Sequence, residues 1–171
     1  MDAELRREQL LNIIEQQAQP VSASALSKEL NVSRQIIVGD VALLRARGHG
    51  IIATARGYMI PSADKAAHYL GKIVCRHAPG NTRDELYTIV DLGAVVVNVI
   101  VEHGYYGEIT GSLNLATRKD VDFFMEEVET SEVKLLSELT MGVHVHTISC
   151  RDKVHFEEVC RMLEAVGYLN S

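Results

Sequence analysis

The chain has 171 residues, of which 47% are hydrophobic and 23% charged, and it carries a formal net charge of −6 at pH 7. That length holds one large domain or two small ones, and the balance of apolar and charged residues is that of an ordinary folded chain, which excludes disorder. No apolar run approaches the roughly 20 residues needed to cross a bilayer, and the opening MDAELRREQL has no apolar signal core, so a cytoplasmic location with no membrane partner is expected.

The first element is predicted over residues 4–17, where Leu10, Leu11, Ile13 and Ile14 recur at helical spacing ahead of Pro20. Ser22 or Ser24 can cap a short helix over ASALSKEL, with Ala25, Leu26 and Leu30 turned inward. A tight turn, Asn31-Val32-Ser33, leads into SRQIIVGDVALLRARG, for which Ser33 is the N-cap and Ile36, Ile37, Val41 and Leu44 form the buried stripe. Residues 49–61, two short apolar runs around ATARG, read as a two-stranded wing turning near Arg56-Gly57.

This order predicts a winged helix-turn-helix, a DNA-binding domain over residues 1–61 whose partner is operator double-stranded DNA. Its third helix presents Ser33, Arg34 and Gln35 to the major groove, where Arg suits guanine edges and Gln adenine edges. Arg45, Arg47 and Arg56 suit phosphates, which position a protein without reading sequence. The acidity of the chain lies elsewhere. Residues 1–61 carry seven Lys/Arg against six Asp/Glu, and residues 62–171 carry ten against seventeen. Arg34, Arg45, Arg47 and Arg56 are opposed in their own segment only by Asp40, so a local basic surface is expected on an acidic protein.

Pro61-Ser62-Ala63-Asp64 reads as the junction to a second domain over residues 62–171. There the pattern alternates: a strand over LGKIVCRH, a helix over NTRDELYTIVDLG, a buried strand over AVVVNVIVE, and a strand running into a loop over YYGEITGSLNL. Thr117 caps a helix over RKDVDFFMEEVE with Val121, Phe124, Met125 and Val128 on one side. After a polar connection come a strand over MGVHVHTISC and a closing amphipathic helix over RDKVHFEEVCRMLEAVG. The expected class is α+β, with an α/β sandwich-like C-terminal domain. The three cysteines, Cys75, Cys150 and Cys160, have no CxxC spacing and are expected to be buried, inert thiols.

His144 and His146 stand two apart on a predicted strand, so their imidazoles leave from one face. His77 ends the first strand of the same domain, and Glu85 follows eight residues later, near the start of a helix that can bring it back toward the strand end. Three nitrogens and a carboxylate suit zinc, nickel, cobalt or ferrous iron. The same residues also admit a plainer reading, with His77 as a solvated or capping residue and HVH on an exposed strand face. His103 is expected in a turn, and His49, His68 and His155 as ordinary surface or junction residues. A metal-dependent enzyme with a DNA-binding head, or a repressor that senses the metal itself, are the competing functions, and no nucleophile motif or phosphate loop favours the enzyme.

The helix-turn-helix VSASALSKELNVSRQIIVGDVALLRARG, with RHAPGNTRDELYTIVDLG, YYGEITGSLNLATRKDVDFF and GVHVHTI, resembles the niacin-responsive transcription repressors, whose C-terminal half is the three-histidine domain. The resemblance runs over nearly the whole chain. It implies a homodimeric repressor of NAD-precursor salvage or uptake genes, with nicotinic acid as co-repressor and a divalent metal, nickel or zinc, held by residues that fall on His77, Glu85, His144 and His146. Nicotinate is then expected beside the metal, with Arg118 pairing its carboxylate and the helix end at Thr117 adding a positive field.

Overall fold

The computed structural model describes residues 2–61 and 68–170, and the chain divides into two compact units, Met1–Asp64 and Lys65–Ser171. Of the expected junction, all but Pro61 lies outside the described residues.

The first unit contains α1 (Ala3–Gln16), α2 (Ala23–Glu29), α3 (Arg34–Ala46), β1 (Ile52–Thr54) and β2 (Gly57–Met59). Ser22 caps α2 by accepting from the Ala25 amide at 3.0 Å, and Ser33 caps α3 by accepting from the Ile36 amide at 3.3 Å. Each satisfies one of the amide donors that a helix start leaves without a partner. The core is built from Leu10, Ile14, Leu26, Leu30, Ile37, Val41, Leu44 and Ile51. Ala25 and Ile36, expected inside, are exposed. Each sits about 100° round its helix from a neighbour, Leu26 or Ile37, that takes the inward place.

Asp40 is buried on the inner side of α3, where Arg6 donates to it at 2.6 and 3.2 Å and Arg7 at 3.5 Å. A carboxylate is tolerated at such a place only with charged partners, and here the pairing ties α1 to α3. The wing turns as its sequence suggests. Gly57 stands at φ +133, and a Cβ there would fall 2.2 Å from the Val21 carbonyl oxygen. That close approach lets Val21 and Tyr58 exchange two backbone hydrogen bonds of 2.8 Å.

The second unit contains β3 (Tyr69–Arg76), α4 (Thr82–Asp91), β4 (Val95–His103), β5 (Gly107–Leu115), α5 (Arg118–Thr130), β6 (Val143–Cys150) and α6 (Lys153–Ala165), with 3-10 turns at Pro79–Asn81 and Leu136–Thr140. The strand order is β3-β6-β4-β5, and every neighbouring pair is antiparallel. The last strand is thus inserted between the two that α4 connects. The segment 105–115, expected as a strand running into a loop, is strand from Gly107 through to Leu115. The unit is α+β on one antiparallel sheet.

Alternation along β3 and β6 sorts their side chains. Ile73 and Cys75 on β3, and His144, His146, Ile148 and Cys150 on β6, are buried, whereas Leu70, Lys72, Val74 and Arg76 point the other way and are exposed. Opposite β6, the ladder of β4 shifts register between Val96 and Asn98. This bulge leaves the Asn98 carbonyl free for a side chain, and Asn98 Oδ1 takes over as acceptor for the Thr147 amide at 3.1 Å.

Candidate functional site

The two histidines of β6 take positions that alternation would otherwise give to apolar residues, and the register sets His144 across from Cys75 and His146 across from Ile73. His77 follows β3 by one residue. Glu85 enters from the first turn of α4 and is fully buried. The four side chains meet: Glu85 Oε2 lies 2.7 Å from His77 Nε2, Oε1 lies 3.0 Å from His144 Nε2, and His146 Nε2 lies 3.4 Å from the same carboxylate.

Each imidazole is held from behind. His77 Nδ1 is 2.8 Å from the Ala78 carbonyl oxygen, His144 Nδ1 2.8 Å from that of Gly142, and His146 Nδ1 2.8 Å from that of Asn98, the carbonyl freed by the bulge. A carbonyl oxygen only accepts, so all three Nδ1 atoms carry protons and donate. In the neutral rings, every Nε2 then turns a lone pair toward a carboxylate that is itself only an acceptor. Protons can bridge this arrangement, but three imidazoliums around one buried carboxylate would leave charge uncompensated. One divalent cation satisfies all four groups together. The donor set of three nitrogens and an oxygen, each imidazole oriented by a backbone carbonyl, therefore fits nickel or zinc.

Burial opposes ionisation of Glu85, yet the charge of His146 and hydrogen bonds from all three histidines outweigh it and hold the carboxyl well below the ordinary carboxylate range. For His77, burial acts downward, but the Glu85 hydrogen bond and charge, with the Ala78 carbonyl, raise it above the ordinary histidine value. Cys75 also belongs to this neighbourhood, since its Sγ, a Glu85 oxygen and a His144 nitrogen lie within 4.8 Å of one another. Burial, then Glu85, pushes its thiol far upward, so the expected inertness agrees with its setting.

Beside the four residues is a small cavity, about 30 Å³, walled by Leu86, Val99, Leu113, Phe124, Leu135 and Leu136, with Thr82 and Ser137 as further polar residues in its lining. The 3-10 turn that supplies Leu136 and Ser137 was expected only as a polar connection. Arg118 and Thr117, expected at the ligand, are not in the lining. Arg118 makes a bidentate pair with Asp91 at 2.7 and 2.5 Å and stacks over Tyr87, and Thr117 accepts from the Asp120 amide in a capping box. The partner is an acidic residue 27 positions earlier in the chain, in an exposed pair. His155, expected on the surface, is buried. It accepts from the Arg151 amide through Nδ1 and donates through Nε2 to the Leu92 carbonyl at 2.7 Å. His103 is in a turn, accepting from the amides of Tyr105 and Tyr106.

At the start of α3, Ser33, Arg34 and Gln35 are all exposed. Arg47, expected to be available for phosphate, pairs with Glu4 at 2.5 and 3.2 Å, an exposed interaction that solvent keeps weak. Arg45 donates through Nε to the Ile51 carbonyl at 2.8 Å and lies over the Tyr58 ring, which fixes it against the wing. Arg56 occupies the wing turn, where its amide donates to Thr54 Oγ1. Asp40, expected to oppose these arginines, is instead taken by Arg6 and Arg7.

Two family models match the chain, an HTH domain over residues 6–59 and a 3H domain over residues 71–171. Over 166 residues, 96% of this chain and 92% of the relative, it is 39% identical to the transcription repressor NadR of Bacillus subtilis. Over 164 residues, 96% of this chain and 93% of the relative, it is 38% identical to a protein of Thermotoga maritima named as the probable transcription repressor NiaR.

Proposed function

The chain belongs to the transcription repressors that join a DNA-binding HTH domain to a 3H domain, and from that premise we propose that it represses NAD-precursor salvage or uptake genes, with nicotinic acid as co-repressor sensed at a metal-containing 3H domain. It is a repressor and not an enzyme. The observation that supports the reading is the meeting of His77, His144 and His146 on Glu85, each imidazole with its Nδ1 proton committed to a backbone carbonyl. These four residues would hold the ion, nickel or zinc. When bound, it would supply a positive centre next to the apolar cavity, suited to a lone pair of a heteroaromatic acid. The cavity walls, rich in leucine and with one phenylalanine, would offer an aromatic ring apolar contacts.

A ligand shifts an equilibrium only by its differential affinity for two states, so nicotinic acid must bind the DNA-competent form more tightly. A homodimer reading an inverted repeat follows from the match of protein two-fold symmetry to operator half-sites. Sedimentation showing a monomer at micromolar concentration that still binds operator tightly would refute that part.

The test is a fluorescence-anisotropy titration of operator DNA by protein of measured metal content, with and without nicotinic acid. Tighter binding with nicotinic acid and not with nicotinamide is the expected result. Unchanged affinity in the metal-loaded protein overturns the co-repressor reading. A switch on chelation alone would make the ion itself the signal.

A further inference from the structure

Thr82 opens α4, and its Oγ1 is a buried hydroxyl with no hydrogen-bond partner, in a residue only 7% exposed that lines the cavity beside Glu85. Such groups are rare and call for an explanation. A threonine in a helix ordinarily returns its hydroxyl to a carbonyl one turn back, as Thr88 does with Asp84 at 2.8 Å in the same helix. Thr82 makes no such bond to either carbonyl one turn back, that of Ala78 or that of Pro79. The Ala78 carbonyl already accepts from His77 Nδ1 and from the Asn81 amide, and the Pro79 carbonyl accepts from the Thr82 amide. Asn81, at the N-cap position of α4, makes no side-chain cap bond either. The cavity therefore meets an unused hydroxyl donor at the start of α4.

We infer that Thr82 is the carboxylate anchor of the ligand that occupies this cavity. The inference rests on the reading above, that a pyridine carboxylate binds beside the four-residue cluster. Thr82 and Glu85 are three residues apart and so share one face of α4, with Cβ atoms about 5–6 Å from one another. The cluster calls for a cation and a further lone pair; the Thr82 hydroxyl calls for an acceptor, and a carboxylate oxygen is the strongest. A flat aromatic monocarboxylate whose ring carries a separate neutral lone-pair donor answers both, with its ring against Val99, Leu113, Phe124 and Leu136. No arginine is needed for the carboxylate, in keeping with the engagement of Arg83 by Asp122 and Glu129 and of Arg118 by Asp91.

Thr82→Val keeps the shape of the side chain and removes the hydroxyl. Calorimetric titration of metal-loaded protein is expected to show nicotinic acid bound about tenfold or more weakly by T82V, the loss typical of a hydrogen bond to a charged group. Metal content and affinity for pyridine, which lacks the carboxylate, stay as in the wild type, and Thr82→Ser restores binding. Wild-type affinity of T82V for nicotinic acid, an equal loss for pyridine, or loss of the metal overturns the inference. Failure of the wild-type protein itself to bind nicotinic acid overturns the underlying reading, and this inference with it.

Discussion

Two residues of the 3H unit are fixed by their surroundings in ways that can be measured. Gly142 stands at φ +90, and a Cβ there would lie 2.3 Å from the His77 carbonyl oxygen. Gly142→Ala must drive apart the strand ends that carry His77 and His144, at a cost of about 1–3 kcal/mol from the backbone conformation alone. Chemical denaturation is expected to show that loss, and metal analysis a fall in occupancy. Glu85 governs the pH response of the ion-free protein. Its carboxyl is depressed, so its contribution to stability is present above the unfolded value of 4.5 and is lost as pH falls toward the lower folded value. His77 is raised, so its contribution is present below 6.5 and is lost as pH rises through the folded value. Thermal melts of chelated protein should therefore peak between about pH 4.5 and 6.5, and Glu85→Gln should flatten the acidic side. Metal binding, which needs deprotonated imidazoles, should strengthen with rising pH.

Among the elements, α3 carries the DNA-reading prediction. Arg34 and Gln35 are exposed just past the Ser33 cap, so Arg34→Ala should cost about 1–3 kcal/mol at the cognate operator and relax specificity there, whereas Arg56→Ala should weaken all sequences alike. Competition anisotropy with shuffled operators separates the two outcomes. This unit was largely legible in the sequence because its signals are local: caps, a three-residue turn and 3.6-residue periodicity. The 3H unit was legible in part. Spacing of two puts His144 and His146 on one face wherever the strand lies, but the register of β6 against β3 and β4 is a long-range property that brings Cys75 beside Glu85 and makes an acceptor of the Asn98 carbonyl. Thr82 shares a helix face with Glu85 by spacing alone, yet its burial without a partner is a property of the folded surroundings. The pairing of Arg118 with Asp91 is likewise long-range, since nothing local to Arg118 announces it.

At the scale of the molecule, each compact unit has its own buried core, and the candidate metal site lies wholly within the second. An ion that binds the native form stabilises it by mass action, and only where it binds. Calorimetry of the full chain should show chelation lowering the transition of the 3H unit while that of the helix-turn-helix unit keeps its temperature. A single transition moving as a whole would mean that the units melt as one. The division of charge follows the same boundary: the acidic excess lies in the second half, so DNA binding is expected to draw on the few arginines of the first and to fall with salt.

The bulge in β4 turns chain length into a functional constraint. Removing Val97 would let the ladder with β6 run evenly past Val96, while leaving Leu113 and Asn114 of β5 with no residue of β4 opposite them. It would also return the Asn98 carbonyl to the ladder and leave the His146 ring without the contact that aims it. Substitutions at this position are a matter of size and packing. A deletion of one residue, harmless in a loop, here would take away the backbone contact that aims an imidazole at Glu85.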